Sequence, residues 1–339
     1  MKKKFSLAAG VITALLVIST AGYSWNYATH AYIAGKIGTL MPILKMNQVY
    51  GIMAPDIFNL DFSLMDDAVL RGYTHGVPLE GTGGPNQNFM AVWRNADGPF
   101  QLADALGYLA HNDAWGADYI AHWYALPAPP PPFPPPYQNE HPGYIIALAV
   151  QLDQILDGAG VWTGLAAPPY KIELSIDERM MFTENIIEYA GDIIIKRADP
   201  GIGQKIMEAS MVRTPSFWAL LMRAFPRQYK PLMKAAEEAF QQSMIEYGVL
   251  LQADEATIIS VVSNQMAGFA IQYLAFKLGV DPAVLYPTYM PVLEPIVNQA
   301  MVISIKICEG ANYMKEVNAT AAYVAGQLQA RNITSKLLR

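Results

Sequence analysis

ALGYLAHNDAWGADYIAHW, residues 105–123, has the apolar spacing of a helix and yet carries two histidines, two aspartates and two tryptophans. Apolar residues at intervals of three and four predict a helix over 101–124. At about 100° per residue, His111, Asp118 and His122 fall within about 40° of one another, so one face carries imidazole, carboxylate, imidazole. Asp118 and His122 stand four residues apart, a spacing that brings two side chains onto one metal ion. A regular helix points Asp113 well away from that face. The competing reading is a buried polar network in which Asp118 fixes a histidine tautomer.

The same periodicity recurs on both sides, over 27–46, 143–157, 178–197, 203–224, 229–251, 255–279 and 292–314, and no stretch alternates as a strand would. The fold class expected is all-α, a multi-helix domain without significant sheet. Breaks are expected at EGTGGPNQN (80–88), in the proline tract 126–143, and at AAPPY (166–170), ADPGIG (198–203) and LYPTYMP (285–291). Segments 256–280 and 299–308 are apolar, but Asn264, Gln265, Gln272, Lys277 and Lys306 interrupt them, which reads as buried core. The tract LPAPPPPFPPPYQNEHPG should run as exposed polyproline. Trp123, Tyr124, Phe133 and Tyr137 around it offer peripheral contact with a lipid surface over 123–137, a cap on a cleft, or local packing on a stiff linker.

A chain of 339 residues with 53% hydrophobic content can bury a sizeable core, which excludes disorder as the default. It opens with three lysines, an apolar run from Phe5 to about Thr20 and the small residues Gly22 and Ser24, the pattern of a cleaved export signal over 1–24. The apolar run is short for a spanning anchor. Export predicts a periplasmic or extracellular protein with a single helical domain over 25–339 and C-terminal helices over 203–339. Removing 1–24 takes away three lysines and no acid, so the net charge moves from −6 to −9. An acidic surface of that kind does not steer nucleic acid. The one cysteine, Cys308, excludes an intramolecular disulfide, so stability must come from the core or from bound metal.

All five histidines, His30, His75, His111, His122 and His141, precede residue 142. Packing alone would scatter them; a single metal site in the N-terminal part gathers them. Asp56 follows Pro55 in a turn, His75 precedes a glycine, and MMFTENIIEYAGDIIIK places Glu184, Glu188 and Asp192 at successive four-residue steps on one stripe of an apolar helix. Three acids so placed repel one another unless they are solvated or neutralised by a cation. Cleavage after Ser24 exposes the α-amino group of Trp25, five residues ahead of His30, where it and its carbonyl can chelate a metal.

In this order the residues resemble the zinc-dependent phospholipase C family, which also includes single-strand nucleases and the catalytic domain of glycosylphosphatidylinositol-specific phospholipase D. The resemblance covers 25–197 and implies an all-helical fold with up to three zinc ions. Carried over residue by residue, it implies Trp25, His30 and Asp118 around one ion, His75, His111 and Asp118 around a second, and His122 with Glu184 and Glu188 around the third. Asp56, a ligand by position, would also orient or deprotonate the attacking water. Two positions depart from the family pattern. Trp115 stands where the bridging aspartate is usual, leaving Asp118 or Asp113 for that role, with Asp118 preferred and Gly116 available for a bulge. His141 has Ile145 four residues on, so the final His-and-acid pair passes to Glu184 and Glu188, a harder and more negative donor set. The expected function is hydrolysis of phosphodiesters, phospholipid head groups before polynucleotides. The alternatives are a single-strand nuclease and a non-catalytic helical protein with a structural or degraded metal site.

Overall fold

A computed structural model describes residues 26–38, 41–58, 64, 67–76, 87–126 and 133–333. The proposed export signal and Trp25 lie outside the described residues, as do most of the 80–88 loop and the centre of the proline tract. Among the described residues every regular element is helical, as the apolar periodicity predicts.

Fourteen α-helices follow in order: α1 Tyr27–Lys36, α2 Pro42–Met53, α3 Ala68–Thr74, α4 Met90–Asn95, α5 Gly98–His111, α6 Tyr144–Gly158, α7 Val161–Ala166, α8 Ile176–Ala198, α9 Ile202–Val212, α10 Phe217–Ala224, α11 Lys230–Leu250, α12 Glu255–Leu278, α13 Pro282–Gly310 and α14 Tyr313–Ala330. A 3-10 turn, Ala54–Phe58, extends α2, and a π turn, Tyr119–Trp123, follows α5 after a break. Starts are marked by side chains that take up the free amides of the first turn. Asn26, Asp67, Asp254 and Asp281 do so for α1, α3, α12 and α13, and Ser175 with Glu178 forms a reciprocal capping box on α8.

The long helix expected over 101–124 is not continuous. α5 ends at His111, and Asn112 leaves helical geometry with φ −26° and ψ 154°. The Asn112 side chain then accepts from the amides of Ala114 and Trp115, both at 2.8 Å, which folds the chain into a tight turn. Gly116 is required there, because a Cβ would stand 2.4 Å from the His111 carbonyl oxygen. The chain resumes as a π turn closed by Tyr124 N–H to Tyr119 O at 2.9 Å.

Other boundaries differ for equally local reasons. LYPTYMP, expected to be a break, lies inside α13 with Pro287, Pro291 and Pro295 at four-residue spacing. All three stand on its exposed side, while Leu293, Val297, Ala300 and Met301 pack inward. The expected segments 27–46 and 203–224 each split in two, at 37–41 and 213–216. α14 falls within the C-terminal helices expected over 203–339, although no separate periodic segment marks it. Tyr137 is buried and donates to Asp153 at 2.6 Å, so this part of the proline tract packs locally.

Two features of the packing place the site. α2 and α5 cross in backbone contact: a Cβ at Gly51 would lie 2.0 Å from Asp104 O, and one at Gly107 would lie 2.1 Å from Gln48 O. This approach brings the end of α2 against the end of α5. α8 runs through the core, buried almost continuously from Met180 to Ile195, and at Gly191 it meets the Tyr313 ring so closely that a Cβ would clash with the hydroxyl at 2.1 Å.

Candidate metal centre

The first turn of α1, the 3-10 turn after α2, the end of α3, the end of α5, the π turn and the middle of α8 converge. They bring together His30, Asp56, His75, His111, Asp118, His122, Glu184 and Glu188, all buried. Ligand atoms fall into four overlapping groups, His30–Asp56–His111, His75–His111–Asp118, Asp113–Asp118–His122 and His122–Glu184–Glu188, with the atoms of each within 4.8 Å of one another. That is near the span bridged by one ion with bonds of about 2.1 Å. The groupings expected around His75, His111 and Asp118 and around His122 with the glutamates are both present. His30 groups with Asp56 and His111 and also stands 3.2 Å from Asp118 Oδ1.

Asp118 lies at the centre. Its Oδ1 faces His30 Nε2, and its Oδ2 is 2.7 Å from His111 Nε2 and 3.9 Å from His75 Nε2. Trp115 takes no part: it is buried against Phe89 and lies under the Arg331 guanidinium, 4.4 Å from its ring centroid.

Asp113 corrects the regular-helix expectation. The turn after His111 swings it inward, and its Oδ1 lies 2.6 Å from His122 Nδ1. Nothing in the periodicity indicates this; the signal was Asn112 followed by Gly116, a turn inside an apparent helix.

The hydrogen bonds fix the imidazole tautomers. His111 Nδ1 is 2.8 Å from the Ile52 carbonyl oxygen, which can only accept, so Nδ1 carries the proton and Nε2 presents a lone pair. His75 Nδ1 lies 2.8 Å from Thr74 Oγ1, whose own proton goes to the Leu70 or Arg71 carbonyl, both at 3.3 Å. His122 Nδ1 donates to Asp113. Each ring thus spends its N–H on an outer partner and turns Nε2 toward carboxylate oxygens: Asp118 for His111, Asp56 at 3.1 Å for His75, and Glu184 at 3.5 Å for His122. Outer acceptors that set tautomer and ring orientation are the usual surroundings of metal-bound histidine.

Several of the inward atoms are otherwise unsatisfied. His111 Nε2, both Asp118 oxygens, His122 Nε2 and Glu184 Oε1 are buried without a hydrogen-bond partner, although His111 Nε2 and Asp118 Oδ2 are 2.7 Å apart. Short contacts without hydrogen-bond angles are what atoms aimed at a common point produce. Burial pushes the Asp118 carboxyl well above its ordinary range and the His30 imidazole well below its own. Burial raises Glu184 to about 7, and His122, which burial alone would lower, is lifted to about 9 chiefly by Asp113. Without an ion, burial thus favours the protonated form of these carboxyls, and Asp113 favours the protonated form of His122; once deprotonated, the same imidazole and carboxylate donors could hold a divalent cation.

Asp192, third in the acid stripe, does not join the cluster. It accepts from Ala28 N and Thr29 N, both at 2.8 Å, from Thr29 Oγ1 at 2.9 Å and from Tyr247 Oη at 2.7 Å. This ties the start of α1 to α8 and so places His30. The stripe is buried, not a solvated outer face.

A cleft of about 320 Å³ opens on the His122 side, lined by Arg71, Asp113, His122, Trp123, Glu140, His141, Asp177 and Glu184 among others. At its mouth His141 lies against Trp123, ring centroids 3.8 Å apart. Sequence reasoning assigned no role to Arg71, Glu140 or Asp177.

Fold and site together define a class: an all-helical protein with a buried imidazole and carboxylate cluster that could hold metal ions beside an acidic cleft. Compared with known proteins, the chain matches no family model, no curated protein and no solved structure.

Proposed function

We propose that the chain is an exported, zinc-dependent phosphodiester hydrolase of the phospholipase C kind, holding up to three ions and acting on phospholipid head groups. The observation that carries this reading is the set of three imidazoles whose Nδ1 atoms are each engaged by another partner and whose Nε2 atoms all face buried carboxylates. Zinc, when bound, would lower the pKa of a water to near neutrality and offset charge on phosphoryl oxygens.

The chain's own residues do the rest. Asp56, 3.1 Å from His75 Nε2, would accept the proton of an attacking water on a carboxylate oxygen. Arg71, the one guanidinium among the described residues that line the cleft, would meet the non-bridging oxygens of a phosphate. The α-amino group of Trp25, which precedes Asn26 in sequence, would be the further ligand beside His30.

Glu140, Asp177, Asp113 and Glu184 surround a cleft sized for a single head group. They disfavour a polynucleotide, which would bring several phosphates against them. The test is metal content by mass spectrometry of the chain beginning at Trp25, with hydrolysis of a phosphocholine ester, phosphatidylinositol and single-stranded DNA. The expected result is about three zinc per chain and phospholipid hydrolysis that is lost on chelation and restored by zinc. Rapid DNA cleavage with inert phospholipid replaces the substrate class; bound zinc with no hydrolysis leaves a structural cluster; absence of metal binding removes the reading.

A further inference from the structure

Donor atoms are spread unevenly through the cluster. The groups His30–Asp56–His111 and His75–His111–Asp118 each offer two imidazoles and one carboxylate, whereas the two groups with His122 each offer one imidazole and two carboxylates; in Asp113–Asp118–His122 the Asp113 oxygen is already engaged with His122 Nδ1, which leaves His122–Glu184–Glu188 as the open oxygen-rich position. His75 and His122 are equally buried, but only the His122 end reaches the cleft. His30, His111 and Asp118 have no exposed surface, while His122 and Glu184 line the cleft. The oxygen-rich end is more than a patch of acid, because His122 Nε2 and Glu184 Oε1 face each other at 3.5 Å, buried and without hydrogen-bond partners. Asp113 holds the His122 ring from behind, so the direction of Nε2 is fixed. Glu184 and Glu188 stand one turn apart on a helix whose start is locked by its capping box.

Imidazole suits zinc, whereas carboxylate oxygen suits manganese and other harder ions, and occupancy follows donor type and availability as much as raw affinity. We infer that the position formed by His122, Glu184 and Glu188 is the exchangeable metal site of the cluster and takes an oxygen-preferring divalent cation, with manganese(II) as its probe, while the imidazole-rich positions hold zinc. This rests on the reading of the cluster as a metal centre.

The test uses the whole processed chain, loaded with zinc and dialysed against a moderate chelator until zinc loss stops. It is then exposed to manganese(II) and freed of excess. Both metals are counted by mass spectrometry, and electron paramagnetic resonance reports bound manganese. Zinc is expected to remain at the imidazole-rich positions while about one manganese enters per chain. Glu184→His should keep its zinc through the same dialysis and take up at least about tenfold less manganese. Glu188→Gln, close in shape to the parent, should lose manganese uptake while retaining the imidazole-held zinc, and it decides the matter if Glu184→His fails to fold. Loss of all zinc in one step, or manganese uptake unchanged in the folded variants, overturns the inference. A chain that binds neither metal overturns it together with the hydrolase reading, whereas metal exchange as described without hydrolysis of any phosphodiester overturns the hydrolase reading alone.

Discussion

Helix α8 carries three acids one turn apart, and the two ends of that stripe behave in opposite ways. Asp192 is fully buried and receives four donors, from Ala28, Tyr247 and both the amide and hydroxyl of Thr29. Glu184 is equally buried, yet its Oε1 has no hydrogen-bond donor and faces His122 Nε2 at 3.5 Å. Burying a carboxylate without donors costs several kcal/mol unless a cation compensates. The same residue type on one stripe is therefore scaffold where donors surround it and a ligand candidate where imidazoles do.

The sharpest way to break that contrast is to remove the carboxylate on which the imidazoles converge. Asp118→Asn keeps the shape but replaces one oxygen by an amide donor, and Asp118 faces His30, His75 and His111 together. If metal stabilises the transition state here, several kcal/mol are lost, on the order of a thousandfold in hydrolysis rate, with fewer zinc ions per chain. An unchanged metal count in folded Asp118→Asn would remove Asp118 from the ligands, and a parent chain without metal would return the cluster to a plain polar network.

A second test compares the two ends of the stripe directly through thermal melts with and without chelator. Asp192→Ala strands several buried donors and should lose about 3 kcal/mol or more whether or not metal is bound. Glu184→Gln should do the opposite in the chelated protein, leaving the melting temperature unchanged or raised because a buried carboxyl without donors is gone, while lowering it in the zinc-loaded protein. Equal losses for both variants under chelator would mean that Glu184 is scaffold too.

Much of this arrangement was legible beforehand. Period-three and -four spacing gave the helix class, and the crowding of histidines before residue 142 gave the region of the site. His111, Asp118 and His122 converge as expected, but through a break and a π turn instead of one straight helix, because Asn112 caps its own turn and Gly116 permits the close approach. Periodicity measures angle around an axis and is blind to such a break, so Asp113 seemed to point away when it holds His122. Arg71, Glu140 and Asp177 reach the cleft from three separate segments, and contacts so distant in sequence leave no local pattern. Asp192 was seen as a member of the stripe; that it binds the α1 amides depends on a contact across 163 or 164 residues.

Asp104 extends the comparison to an acid with neither sufficient donors nor imidazoles, and it has the smallest expected effect. It is fully buried on α5; its Oδ1 accepts from Asn47 at 3.0 Å and its Oδ2 has no partner. Burial raises its pKa from the ordinary 3.8 to about 7, with hydrogen bonds from Thr214 and Asn47 offsetting only part of the rise. Below about pH 4 both folded and unfolded chains hold the proton; between about pH 4 and pH 7 the unfolded chain releases it while the folded chain keeps it, so stability falls as pH rises. One proton gives a slope of at most about 1.4 kcal/mol per pH unit, and above the folded pKa this contribution is flat. Urea unfolding across that window, in chelator to silence the metal cluster, should show the slope in the parent and a flatter profile in Asp104→Asn, whose amide stays neutral at every pH. If the two profiles run parallel, Asp104 is ionised in the folded protein and belongs with Asp192 among the satisfied acids; if they diverge, a buried acid in this fold stays neutral wherever it lacks both donors and a cation, which is the condition that sets Glu184 and Asp118 apart as ligands.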